Sequence, residues 1–289
     1  MITHKKLLIL QIKCYTIKKM EKILRNMENK KMEKEEIKSI IKSLDLLELL
    51  SDNMKEMGIT EISKDLHMGI STVYRILTTL KYRGYVIQNQ HTLKYTLGIQ
   101  SFILGSKVQS ATNLVDLVTP FLQKLSQKTN ESINFSILED REVVCLSKIE
   151  SPEVLRTDIK IGARLPAHCT SVGKALLAFL PERKLTMIYG GDNIKLHTPT
   201  PNSISSVMEL KKCLKKIKKD GYATDKEEFK TGINCLGVPI LNNEGISIAG
   251  ISVTGPSSRF NLSEIKKLKN TLINISRDIS HQLNMENML

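Results

Sequence analysis

No apolar run in the 289 residues reaches the ~18 needed to cross a bilayer. The apolar stretch at residues 7–12 is too short for the core of a signal peptide, and no small-residue cleavage site follows it. The expected location is therefore the cytoplasm, with no membrane partner. Cysteine is sparse and unpaired in pattern. Cys14, Cys145, Cys169, Cys213 and Cys235 are scattered, odd in number and form no CxxC. That argues against a disulfide framework and against a zinc ribbon or finger. No pattern asks for a metal or a cofactor.

A third absence is local. Residues 70–100 hold four basic side chains and no Asp or Glu, directly after residues 45–69, which hold six acids and two bases. Residues 1–44 carry twelve Lys/Arg against five acids, within a net charge of +13. A basic stripe beside an acidic one is an electrostatic footprint for nucleic acid. The plainer alternative is a solvated helix face.

What is present is a globular composition, 41% apolar and 25% charged, and a length that allows about two domains. Residues 1–32 are lysine-rich and weakly patterned. They read as a disordered basic extension, with Met20, Met27 and Met32 as alternative starts, or equally as a phosphate-binding arm. A helix is expected over 33–51, burying Ile37, Ile40, Ile41, Leu44, Leu47 and Leu50 at three-to-four spacing. Thr60 is expected to cap a short second helix, 61–66. His67-Met68-Gly69 is expected to turn with Gly69 at positive φ. Ser71 then caps a third helix that runs to Arg83 and stops at Gly84. Two short strands, 85–88 and 93–97, follow across the turn 89–92. Three helices and a hairpin in this order form a winged helix-turn-helix.

The missing acids now acquire a meaning. On the third helix Val73, Ile76, Leu77 and Leu80 share one face, and Ser71, Arg75, Thr78 and Tyr82 lie opposite. Arg can fork onto guanine, and hydroxyls can meet bases or phosphate oxygens. An acid there would be repelled by phosphate. The N–H groups at Ser71-Thr72 add anion donors. The candidate DNA-binding residues are Ser71, Thr72, Tyr74, Arg75, Thr78, Thr79, Lys81, Tyr82, Arg83 and, in the wing, Lys94.

Downstream, residues 98–110 read as a connecting helix and 114–125 as another. Residues 132–138 and 142–149 read as a hairpin, 154–160 as a third strand, and 175–180 as the start of a helix. Residues 203–219 read as a lysine-faced helix, 235–240 and 246–253 as a hairpin over 242–245, and Asn261 with Glu264 as the start of a C-terminal helix running to the end. The fold class is α+β, with an antiparallel sheet flanked by helices.

At this point the chain resembles the IclR (isocitrate-lyase-regulator) family of bacterial transcription factors. "ISTVYRILTTLKYRGYV" (70–86) is shared in outline with other winged helices. "GARLPAHCTSVGKALLAFLP" (162–181), "GYATDKEEFKTGINCLGVPI" (221–240) and "ISVTGPSSRF" (251–260) come in the family's order and spacing and are far more specific. The resemblance implies a winged helix (33–98) that binds double-stranded operator DNA and a linker helix (99–113). It also implies a GAF-like effector-binding domain (114–289) with an antiparallel sheet, and a homodimer or homotetramer. It implies a small organic, sugar or aromatic acid as effector. Backbone amides at Ser171 and Val172 would face the anionic end, and Asp225, Cys235, Ser252 and Thr254 would line the rest. Ile70 stands where the family often has a basic residue, Thr254 where serine is common, and the leader has no counterpart.

Other readings compete. Cys235 with His168 as base would make a cysteine-dependent hydrolase carrying a nucleic-acid module, although a buried cysteine is usually a small apolar wall. His168, Cys169 and Cys235 as zinc ligands have no standard spacing. The lysines of 211–219 are either a second nucleic-acid patch or a solvated face. The acids of 225–228 offer paired carboxylates, of which only Asp225 falls on the family pocket. A protein that only dimerises is a further alternative. The reading carried forward is a ligand-responsive regulator, not an enzyme.

Overall fold

The computed structural model describes residues 37–53, 55–112 and 114–285. The basic extension 1–32 lies outside them. The chain divides into two compact units, Met1–Val108 and Gln109–Leu289.

In the first unit α1 (Lys38–Asn53), α2 (Ile59–Asp65) and α3 (Ile70–Tyr82) precede the hairpin β1 (Val86–Gln88) and β2 (Tyr95–Leu97), and α4 (Ile99–Thr112) follows. Leu46, Leu50, Ile62, Val73, Leu77, Val86 and Tyr95 form its core. Each buried aliphatic side chain here contributes ~1.5–3 kcal/mol. The face expected to be buried on α1 is largely wrong. Ile37, Ile40, Ile41 and Leu44 are exposed, and Leu46 with Leu50 carries the packing. Both stripes have helical spacing, so periodicity alone does not choose between them.

The helix starts also differ from expectation. Gly58, not Thr60, precedes α2, and the Glu61 carboxylate accepts the Gly58 N–H at 2.6 Å. Gly69 has φ −62° and opens α3 in place of Ser71, while the positive φ of the turn falls on His67 (+50°). Gly84 does take positive φ after α3. A Cβ on Gly98 would lie 2.2 Å from the Gly84 carbonyl oxygen, so the hairpin closes tightly against the end of α3. Met57 bridges Tyr95 by two backbone bonds of 2.8 and 2.9 Å, tying the segment before α2 to the wing.

In the second unit, six antiparallel strands run in the order β5-β4-β3-β8-β7-β6. They are β3 (Ser132–Glu139), β4 (Glu142–Ile149), β5 (Arg164–Pro166), β6 (Ala223–Lys226), β7 (Ile233–Leu241) and β8 (Ser247–Pro256). Residues 154–160 do not form the expected strand. β5 takes the edge beside β4, and Val154 is fully in solvent. Helices α5 (Leu114–Thr129) and α9 (Leu262–Met285) cover one face, meeting Ile133, Phe135, Leu236, Val238, Ile251 and Val253. The Asn261 side chain accepts the N–H groups of Ser263 and Glu264, as the start of α9 requires. Helices α6 (Ser171–Ala178), α7 (Glu182–Tyr189) and α8 (Val207–Asp220) pack together in a second cluster with Ala223. α7 and β6 were not anticipated from sequence.

Strand alternation puts the intervening residues on the opposite face. That face carries Asn134, Ser136, Cys235, Gly237, Gly250, Ser252 and Thr254. A Cβ on Gly237 would lie 2.6 Å from the backbone of Ser171 and Val172, and one on Gly250 would lie 2.7 Å from Val172. The first turn of α6 therefore rests on bare sheet backbone.

Candidate functional sites

On α3 the row Ser71, Arg75, Thr78, Tyr82 lies in solvent, as do Tyr74, Thr79, Lys81 and Arg83. Tyr82 is 88% exposed, so its ring is free to meet a partner. Thr72 is half-buried, and with Arg75 and Thr79 it lines a cleft of about 550 Å³ against Lys38 and Lys42 of α1. Two hydroxyls are already committed as donors. Thr78 donates to the Tyr74 carbonyl at 2.8 Å and Thr79 to that of Arg75 at 2.9 Å. As they stand they can only accept. Lys81 donates to Gln88 at 3.0 Å, and Lys94 is half-buried beside Glu61 at 3.6 Å. The Thr72 N–H bonds the Gly69 carbonyl, so the spare N–H groups at the start of α3 belong to Ile70 and Ser71 rather than to Ser71 and Thr72. Glu56 steadies the wing turn, accepting from Asn89 at 2.6 Å and Thr92 at 2.7 Å.

All six residues named for the effector site line one cavity of about 30 Å³, under the first turn of α6. The sheet register explains why. Asp225, Cys235 and Thr254 are paired neighbours across β6, β7 and β8, and Gly237, Ser252 and Asn134 form the row two residues along. Thr170 caps α6 by accepting the Gly173 N–H. No described backbone carbonyl takes the N–H of Ser171 or Val172. Two donors at a helix start thus face a polar row of the sheet. Ile159, Phe229 and Ile233 close the remaining sides, leaving room for a water or two.

Charge is arranged around this cavity. Asp225 is 2% exposed, and burial raises its pKa to about 6, against the opposing pull of the Glu228 N–H and the Lys174 charge. Its carboxylate accepts the N–H groups of Glu228 at 2.7 Å and Phe229 at 3.4 Å. Lys174, 2% exposed, forms a short ion pair with Glu228. Burial drives the Cys235 thiol well above its ordinary value, and the nearby Asp225 charge pushes it the same way.

These facts bear on the competing readings. His168 points its Nε2 at the His197 carbonyl, 2.7 Å away, and burial lowers its pKa. It is not among the groups acting on Cys235, whose thiol is held protonated. The nucleophile–base pair of a hydrolase is therefore not formed by these two residues. Among the described residues no three His, Cys, Asp or Glu side chains converge as metal ligands.

Sequence reasoning missed Asn134, Ser136, Cys145 and Thr170 in the cavity wall, and Gly237 beneath it. The alternation of β3 was legible, but its polar face was not recognisable as the inner wall of a cavity.

Comparison with known proteins agrees with this geometry. The family described as "Bacterial transcriptional regulator IclR C-terminal" matches residues 106–281, and the "IclR helix-turn-helix domain" matches residues 39–90. The chain is 33% identical over 247 residues to the HTH-type transcriptional regulator KdgR of Escherichia coli, covering 86% of this chain and 93% of that one. It is 28% identical to the transcriptional repressor IclR of the same organism, covering 85% and 89%. The crystal structure of the Thermotoga maritima IclR superposes with a TM-score of 0.70 at 28% identity, over 86% of this chain and all of that one. No helix among the described residues is long and apolar enough to cross a membrane. With a helix-turn-helix unit, a six-stranded second unit and relatives named as transcriptional regulators, the chain belongs to the IclR family of bacterial transcriptional regulators.

Proposed function

We propose that α3 enters the major groove of an operator half-site and that a small organic or sugar acid, taken into the cavity under α6, governs whether it does so. Arg75 is the base-reading residue, forking onto guanine. Ser71, Tyr74, Thr78, Thr79 and Tyr82 line the groove wall, while Thr72, Lys81, Arg83 and Lys94 face the phosphates. The acid's carboxylate takes the N–H groups of Ser171 and Val172. Asp225, Cys235, Ser252 and Thr254 hold the remainder.

One observation carries the reading. Two unused helix-start N–H donors and a buried polar sheet row converge on the same small cavity, whose walls part to admit the acid. The active form is a homodimer or homotetramer. Its support is the exposed apolar surface of the first unit, Ile37, Ile40 and Ile41 on α1 and Ile99 and Phe102 on α4. Several relatives carry repressor names, and repression is the expected sign. The acid must bind the two arrangements of the reading heads with different affinity, or it shifts nothing.

A thermal-shift screen of small organic and sugar acids tests the sensor half. A ligand that binds only the folded state stabilises it by about 2.7 kcal/mol at a hundred times its Kd. At least one acid is expected to raise the melting point, and its amide derivative is not. A screen in which acid and amide act alike would leave the carboxylate with no role in binding.

A further inference from the structure

We propose that Asn134 is the specificity residue of the cavity, and that its side-chain oxygen receives a hydroxyl of the ligand, so that the effector is a hydroxy acid. This inference rests on the acid-binding reading above and deepens it.

Asn134 is 4% exposed and lines the cavity. Its Nδ2 donates to Thr254 Oγ1 at 3.2 Å. Its Oδ1 has no hydrogen-bond partner. Three other buried side-chain atoms among the described residues share that condition, on Thr157, Tyr189 and Asn284, but none of those residues lines the cavity. Buried polar atoms in natural proteins are overwhelmingly paired, because an unpaired one loses its hydration without return. One left bare on a cavity wall is placed for a donor that arrives from outside.

The amide is placed with its Nδ2 on the Thr254 hydroxyl oxygen, which leaves Oδ1 as the unpartnered atom of the side chain. An amide oxygen can only accept, so it asks for a donor.

A hydroxyl suits this position better than an ammonium, which would bring three donors and a charge to a single free oxygen. Asp225, the anionic side chain of the cavity wall, already accepts two backbone N–H groups. Ser136 and Ser252 flank Asn134 with neutral polar groups.

Titration calorimetry on the full chain compares propionate and butyrate with lactate, 3-hydroxypropionate, 3-hydroxybutyrate and 4-hydroxybutyrate. At least one hydroxylated acid is expected to bind at least about tenfold more tightly than its parent, because a site built around a hydroxyl rejects the analogue that lacks it. In Asn134→Leu that acid falls to its parent's affinity while the parent is unaffected. Asn134→Ala repeats the comparison should the leucine fail to fold, with a melting curve for each variant. A hydroxyl preference that survives both substitutions, meaning that a water alone satisfies the atom, overturns the assignment and leaves the acid cavity standing. The assignment is equally overturned if alanine, the amino acid, binds as tightly as lactate through Asn134. Binding by none of these acids overturns this assignment, while the acid reading stands or falls on the melting-point screen.

Discussion

The outward row of α3 and the inner face of the six-stranded sheet are built from similar side chains, hydroxyls with an amide, a thiol or a guanidinium, yet one lies in solvent and the other is sealed. On α3 nothing in the fold depends on the row: Tyr82 and Arg75 are exposed, and the core residues Val73 and Leu77 point the other way. On the sheet every polar atom must be matched or it costs stability. Asp225 has two backbone N–H groups, Asn134 Nδ2 has the Thr254 hydroxyl, and among the described cavity residues Asn134 Oδ1 is left over. The open row is thus free to be chosen for its partner alone. The sealed row is chosen for partner and fold together, so mutations there are expected to move both.

The strongest response is expected at Gly237. Gly237→Val drives a side chain into the first turn of α6 and is expected to cost about 3 kcal/mol or more, measured by chemical denaturation. A cost near zero would mean that α6 does not rest on the sheet as described. Next comes Asp225→Asn. The folded pKa of about 6 exceeds the ordinary 3.8, so the folded state holds an extra proton between about pH 4 and 6. Stability attributable to this group is therefore full below about pH 4, falls through that window and is flat above it, a loss of about 2–3 kcal/mol. Asp225→Asn is expected to flatten this fall and to raise the melting point at pH 7.5, while abolishing the response to acid. An unchanged pH profile would contradict the burial of a charged Asp225.

The open row is expected to behave in the opposite way. Arg75→Ala leaves the stability within about 0.5 kcal/mol of wild type. It costs roughly 1–3 kcal/mol of operator affinity and relaxes sequence preference in a competition assay. A loss of stability with specificity intact would erase the contrast between the two rows. The weakest response is expected at Thr79. Its hydroxyl proton is already given to the Arg75 carbonyl, so Thr79→Val is expected to change operator affinity by less than about 1 kcal/mol.

Much of this was legible in the sequence, and the gaps have physical causes. The β3–β4 hairpin and the turn before β8 announced themselves through alternation and through Gly245, which takes positive φ. The stretch 154–160 read as a strand, but Val154 and Leu155 are exposed, and Arg259 holds the Leu155 carbonyl at 2.9 Å. A composition suited to a strand does not supply an edge to pair with. On α1 two apolar stripes had helical spacing, and only tertiary packing selected Leu46 and Leu50. Resemblance supplied the six cavity residues. Asn134 escaped because a polar residue alternating with Ile133 and Phe135 looks like the solvent side of an ordinary sheet.

The coupling between the two rows is reached by one experiment. A binding site is selected from random duplex DNA, and its affinity is measured with and without the acid that most raises the melting point, in wild type and in Ser252→Leu. The acid is expected to change wild-type affinity by several-fold and to leave Ser252→Leu unmoved, although that variant still binds the DNA. An acid that stabilises the wild type but leaves its DNA affinity unchanged, or that acts equally on the blocked variant, would show that the cavity does not govern α3.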